Sequence, residues 1–204
     1  MIYTESLRIV AESVSSEGFD PADMGILHRM VHACGMPDLV DDVRISPEFR
    51  ERAAAALRRG APIISDCTMV KSGIIQSALP AGVSVIETLS DTKTSQLAVS
   101  LKTTRSAAAV ELWRPMLNGA IVVIGNAPTA LFHLLEVLDQ GEGRPAVLVA
   151  CPVGFVGASE SKQAVTDRDR GIPFVTVLGR RGGSAIAAAV INAVSLDLRN
   201  KRTA

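Results

Sequence analysis

Ile121-Val122-Val123-Ile124, then Gly125-Asn126-Ala127-Pro128, then the Leu-rich run 129–138 is the stretch that decides the fold. Four β-branched residues in a row suit a strand buried on both faces. The glycine turn ends it, and apolar residues then recur at helical spacing. A strand that passes through a tight turn into a helix is the building unit of a parallel sheet. The same pattern recurs on either side. Apolar runs at 62–65, 83–86, 146–150 and 174–178 are short and bounded by Gly, Pro or polar turns, which predicts five buried strands in all. Helices are predicted over 47–59, 69–77, 95–113, 129–138, 159–168 and 184–198, most of them rich in Ala and Leu with one polar face. The alternation predicts a three-layer, doubly wound, mainly parallel α/β sheet of flavodoxin-like type, with residues 1–204 as one domain.

Lys plus Arg and Asp plus Glu each number 21, so no overall positive field draws the chain to nucleic acid or an anionic membrane. An anionic ligand must instead be gripped by local arginines. With 48% hydrophobic and 21% charged residues, the composition is that of a globular protein. Cys34, Cys67 and Cys151 form no CxxC pair, and an odd number cannot complete a disulfide framework within one chain. The first ten residues carry charges where a signal peptide has its apolar run, and no stretch reaches the roughly 18 apolar residues of a membrane span. The expectation is a cytoplasmic protein.

In a doubly wound fold, ligands bind at the loops leaving the carboxyl ends of the strands. Here those are Asp66-Cys67-Thr68, Glu87-Thr88-Leu89, Gly125-Asn126-Ala127-Pro128, Pro152-Val153-Gly154 and Gly179-Arg180-Arg181-Gly182-Gly183. Their glycines let backbone N–H groups approach a ligand. The last loop, running into Ser184, suits an anion but is neither a Walker A loop nor a GxGxxG fingerprint. No GxSxG elbow occurs, and none of the cysteines sits in a nucleophile motif.

Asp20 and Pro21 read as a helix start, and Gly35 with Pro37 as its stop, which places His32 in the last turn. At about 100° per residue, Met24, Leu27, Met30, Val31 and Cys34 share one face, with Arg29 and His32 on the flank. On these residues alone two readings stand: His32 faces a cleft, or it only meets the dipole at the helix end. His28 and His32, four apart, lack a third ligand nearby, so no metal is expected. His133, among Leu131, Phe132, Leu134 and Leu135, reads as packing. Arg29, Arg105 and Arg180 are candidates for holding carboxylates through the guanidinium fork, against the common fate of a solvated charge.

Five ordered stretches carry more information than any single motif. They are Arg29-Met30-Val31-His32-Ala33-Cys34-Gly35, Thr104-Arg105-Ser106-Ala107-Ala108-Ala109, Ile124-Gly125-Asn126-Ala127-Pro128-Thr129-Ala130-Leu131, Pro152-Val153-Gly154-Phe155-Val156-Gly157-Ala158 with Glu160-Ser161-Lys162, and Gly179-Arg180 with Gly182-Gly183-Ser184. Together they resemble the precorrin-8X methylmutase family, including its cobalt-precorrin-8 branch, over nearly the whole chain. The resemblance implies an intramolecular methyl transferase of cobalamin (vitamin B12) biosynthesis. It would convert precorrin-8X to hydrogenobyrinate by moving a methyl group from C11 to C12, as a homodimer without an external cofactor. The family's catalytic histidine falls on His32, and its substrate-contacting positions fall on Ser6, Arg29 and Arg105. Arg181 stands where that family often has an apolar residue.

Such chemistry suits an imidazole, which titrates near about 6.5 and exchanges protons readily at cellular pH. Protonating a ring nitrogen draws electron density from the conjugated system and lowers the barrier to methyl migration; loss of a proton then restores the product. Two other classes stay open at this point. One is a tetrapyrrole carrier without turnover, which needs the arginines but not His32. The other is an unrelated doubly wound enzyme acting on a phosphorylated metabolite.

Overall fold

The computed structural model describes residues 2–203. Six strands form one sheet: β1 Val43–Ile45, β2 Ile63–Ser65, β3 Val85–Glu87, β4 Ile121–Ile124, β5 Val147–Ala150 and β6 Phe174–Val177. Their order is β1-β6-β5-β4-β2-β3. Strands β2 to β6 are the five runs expected from sequence, and all their pairings are parallel. Taken alone they follow the order 2-1-3-4-5, the flavodoxin arrangement. The sixth strand, β1, is an addition: it pairs antiparallel with β6, with Val43 opposite Val177 and Ile45 opposite Val175.

Alternation along each strand feeds two separate cores. Ile121, Val123, Val147, Val149, Val175 and Val177 pack on one face, beneath α2 (Met24–Cys34), α3 (Phe49–Arg58), α4 (Thr68–Gly73) and α9 (Ser184–Thr203). Val122, Ile124, Leu148 and Ala150 pack on the other, beneath α6 (Arg105–Glu111), α7 (Pro128–Asp139) and α8 (Ala158–Thr166). A strand buried on both faces carries no polar alternation, which is why these runs read as continuous apolar segments. Truncating Ile121 or Leu131, both fully buried, to alanine costs about 2–5 kcal/mol in such a setting.

Two expectations need correction. The single helix over 95–113 is in fact two, α5 (Thr92–Ser100) and α6, separated at Lys102, whose φ is 52°. Thr104 then starts α6, its hydroxyl accepting the Ala107 N–H at 3.1 Å. A left-handed residue and a threonine cap override the run's helical propensity. The chain also opens with a helix, α1 (Ile2–Ser13), which has no buried residue and was not expected. Near position 20 the capping reading holds: Asp20 accepts the Ala22 N–H, but one 3-10 turn (Pro21–Asp23) precedes α2. Gly35, at φ 70°, ends α2 with its N–H on the Val31 carbonyl. Among the described residues no helix is long and apolar enough to cross a membrane.

Candidate active site

The order of the parallel strands reverses between β2 and β4, and in this fold class that crevice commonly takes the ligand. Here the chain fills it. Asp66, leaving β2 and 1% exposed, accepts the N–H groups of Gly125, Asn126 and Ala127 at 3.0, 2.9 and 2.8 Å. Burial pushes the Asp66 carboxyl up from its ordinary range, and the three N–H donors oppose that rise. The strand-end N–H groups expected to meet a ligand at this loop are therefore already engaged. Gly125 is packed so closely that a Cβ there would lie 2.7 Å from Val70 and 2.8 Å from the Ser184 backbone.

The open site lies beside the crevice, where α2 crosses α9. A cavity of about 290 Å³ is lined by Tyr3, Arg29, His32, Ala33, Gly73, Ile75, Ala185, Ala188, Ala189 and Asn192. His32 sits in the last turn of α2, exposed, and its Nδ1 is 3.0 Å from the Ser6 hydroxyl of α1. Tyr3 meets the His32 ring edge-on at 5.5 Å between centroids, and the Arg29 guanidinium lies 5.9 Å from the Tyr3 ring centroid. Small residues give the cavity its depth: a Cβ on Gly73 would come within 2.8 Å of Ala188. Asn192, nearly buried, ties the far wall together by accepting the Ile75 N–H at 2.8 Å and donating to the Gly73 carbonyl at 2.9 Å. Ser6, Arg29 and His32 are thus brought together, on the α2 flank read from sequence.

Arg105 and Arg180 do not line this cavity. Arg105, exposed at the start of α6, donates to the Leu89 carbonyl at 2.8 Å. Arg180, exposed in the β6–α9 loop, lies over the Phe155 ring at 5.5 Å. Arg180 lies in a loop at the carboxyl end of the sheet, and Arg105, on α6, reaches the Leu89 carbonyl just beyond the carboxyl end of β3.

The precorrin-8X methylmutase family model matches residues 1–196. The chain belongs to the precorrin-8X methylmutase family. It is 50% identical over 197 residues to a precorrin-8X methylmutase of Pseudomonas aeruginosa, covering 96% of this chain and 94% of the relative. It is 46% identical over 194 residues to one of Sinorhizobium, covering 95% and 92%. A cobalt-precorrin-8 methylmutase of Salmonella typhimurium is 39% identical over 181 residues, covering 88% and 83%. The crystal structure of a precorrin-8X methylmutase from Thermus thermophilus superposes with a TM-score of 0.86 at 34% identity, covering 95% of this chain and 93% of that one. An enzyme of the methylmutase class, an isomerase, is what this membership gives.

Against that family background, Arg181 has a local explanation. Its guanidinium pairs with Asp42 and Asp38, both at 2.6 Å, and ties the β6–α9 loop to the segment before β1. It serves the loop's shape. His133 is likewise engaged away from the cavity, between Glu111 and Glu136 on and beside α7. Reading the sequence missed Tyr3 and Asn192, and took the Asp66 loop for a ligand site where the structure makes Asp66 an internal partner. Nothing in one chain shows that position 3 meets 32, that 192 reaches 75 or that 66 reaches 125.

Proposed function

We propose that this methylmutase converts precorrin-8X to hydrogenobyrinate, with His32 giving a proton to the ring system and recovering one after the methyl group has moved from C11 to C12. The observation that supports this most is His32 at the lip of a cavity, with Nδ1 engaged by Ser6 and Arg29 alongside. Holding one ring nitrogen leaves Nε2 as the atom that exchanges protons with substrate. Arg29 and, farther out, Arg105 and Arg180 meet the acetate and propionate groups of the macrocycle's rim. The reaction needs no redox partner, because the methyl group moves within one molecule and the proton is returned.

Metal-free precorrin-8X is the substrate we favour over the cobalt form. The two precorrin-8X methylmutases above are 50% and 46% identical to this chain, and the Salmonella cobalt-precorrin-8 enzyme 39%. The whole chain acts as one domain, as a cytoplasmic enzyme and as a homodimer. Dimerisation is supported by size: about 290 Å³ is at the low end of small-molecule pockets, about 300–1,000 Å³, so one protomer holds an edge of the macrocycle. Phe155, 83% exposed, and Val156, 89% exposed, offer apolar surface at the same end of the sheet. The test is single-turnover conversion of metal-free precorrin-8X beside cobalt-precorrin-8 by the purified protein. Faster conversion of the cobalt form would reverse the substrate assignment, and conversion of neither would overturn the activity.

A further inference from the structure

Lys162, on α8, is fully buried, and its Nζ donates to the main-chain carbonyl of Arg181 at 2.5 Å. Taking an ammonium out of water costs several kcal/mol, and an apolar side chain of similar length would fill the same space without that penalty. Among the described residues Lys162 makes no ion pair: the Asp42 charge opposes the cost only from a distance, and the hydrogen-bond partner is that one backbone oxygen. Cys151 beside it stays a neutral thiol, because burial pushes it up to about 12. A buried charge kept at this expense points to what it holds in place.

What it holds is the β6–α9 loop, fixed at four successive residues. The Arg180 carbonyl accepts the Gly154 N–H at 3.2 Å, and the Arg181 carbonyl accepts from Lys162. Gly182, at φ 155°, lies so close to the β5–α8 loop that a Cβ would stand 2.5 Å from the Cys151 oxygen. The Gly183 N–H donates to the same oxygen at 2.8 Å. With the Arg181 side chain drawn to Asp38 and Asp42, the one arginine of this loop that faces solvent is Arg180, laid over Phe155.

We propose that Lys162 is a positioning residue for substrate binding: by holding the Arg181 carbonyl it sets the loop so that Arg180 stands ready over Phe155 for a carboxylate on the macrocycle's rim. This rests on the reading above that Arg180 contacts the substrate. A preorganised guanidinium binds more tightly than one that must first be ordered, so the tether acts on affinity and leaves the proton transfer at His32 alone.

The test is a double-mutant cycle on the full-length enzyme, read by titration with hydrogenobyrinate and by single turnover of precorrin-8X. Lys162→Met, and Lys162→Gln, whose side chain is one bond too short for the Arg181 carbonyl, are each made in the wild-type and Arg180→Ala backgrounds. In wild type, either variant is expected to weaken product binding by about fivefold to tenfold, with the saturating single-turnover rate within about twofold. In Arg180→Ala the further loss is expected to vanish. A merely structural role lowers the melting temperature without that coupling. Wild-type affinity in a folded Lys162 variant, or a loss undiminished in the Arg180→Ala background, overturns the proposal. Wild-type affinity in Arg180→Ala alone removes the contact on which it rests, whereas a wild-type enzyme that does not convert precorrin-8X removes the activity.

Discussion

Ser6 and His32, 26 positions apart, meet through a hydroxyl and an imidazole nitrogen 3.0 Å apart. On the function proposed above, the Ser6 hydroxyl spends one hydrogen bond on fixing the orientation and tautomer of the His32 ring. Ser6→Ala is therefore expected to lower the single-turnover rate by about three- to tenfold and leave product affinity within twofold. Loss of affinity at an unchanged rate would return Ser6 to the substrate-contacting role that the family resemblance implied.

His32→Ala is expected to depress single turnover by roughly 10²–10⁴-fold, the usual span for general acid–base catalysis, while the cavity and the arginines still bind the macrocycle. His28→Ala is the control. Its Nε2 is buried without a hydrogen-bond partner among the described residues, and burial lowers its pKa, so it is poorly placed to deliver a proton. Most activity is expected to survive there once folding is checked. Wild-type single-turnover rates in His32→Ala would end the proton-transfer role and leave family membership untouched.

A sheltered charge-assisted hydrogen bond is worth about 1.5–3 kcal/mol, but Arg105 is exposed and already donates to the Leu89 carbonyl. Arg105→Ala is accordingly expected to weaken product binding by only about 0.2–1 kcal/mol. The effect should shrink as ionic strength rises. Titrations at low and high salt read this directly, and unchanged affinity at low salt would class Arg105 as a surface charge.

Lys162 gives a stability signature of its own. Burial pushes its ammonium down to about 8 from 10.5, so between those two values the unfolded chain binds the proton and the folded one does not. Unfolding free energy therefore gains from this group as pH rises from about 8 toward 10.5, by about 1–3 kcal/mol. Below 8 both states are protonated and the penalty is constant. Urea unfolding of wild type and Lys162→Met at pH 7.5 and 9.5 isolates the contribution. The difference is expected to move in favour of wild type at the higher pH; a difference that does not move means the ammonium is not depressed.

The parallel sheet was legible because β2, β4, β5 and β6 are covered on both faces, so Val and Ile dominate them, and because Gly, Pro or polar residues mark the strand ends; β3, at the edge and only half-buried, was read from the same apolar pattern. β1 was not, since Val43-Arg44-Ile45 is short and takes its place from β6. The break between α5 and α6 was hidden because Lys102 has no intrinsic reason to turn left-handed. His32 and Arg29 could be placed on one flank of α2 by helical spacing. Their junction with Ser6 came from resemblance, because α1 buries nothing and carries no strong signal. Asp66, Lys162 and Asn192 are buried polar residues whose partners lie 59 to 61, 19, and 117 to 119 positions away. Such pairings follow from the finished topology and leave no local pattern.

The Asp66 carboxylate in the crevice between β2 and β4 also bears on selectivity in a crowded cell. Free phosphate and nucleotides far outnumber any tetrapyrrole intermediate, and a strand-to-helix turn with three converging N–H groups is the kind of place where they bind in related architectures. In this chain those three donors are occupied by the chain's own Asp66 carboxyl group. An incoming phosphate meets a filled turn instead of a vacancy. That turn is closed to phosphate by the chain itself.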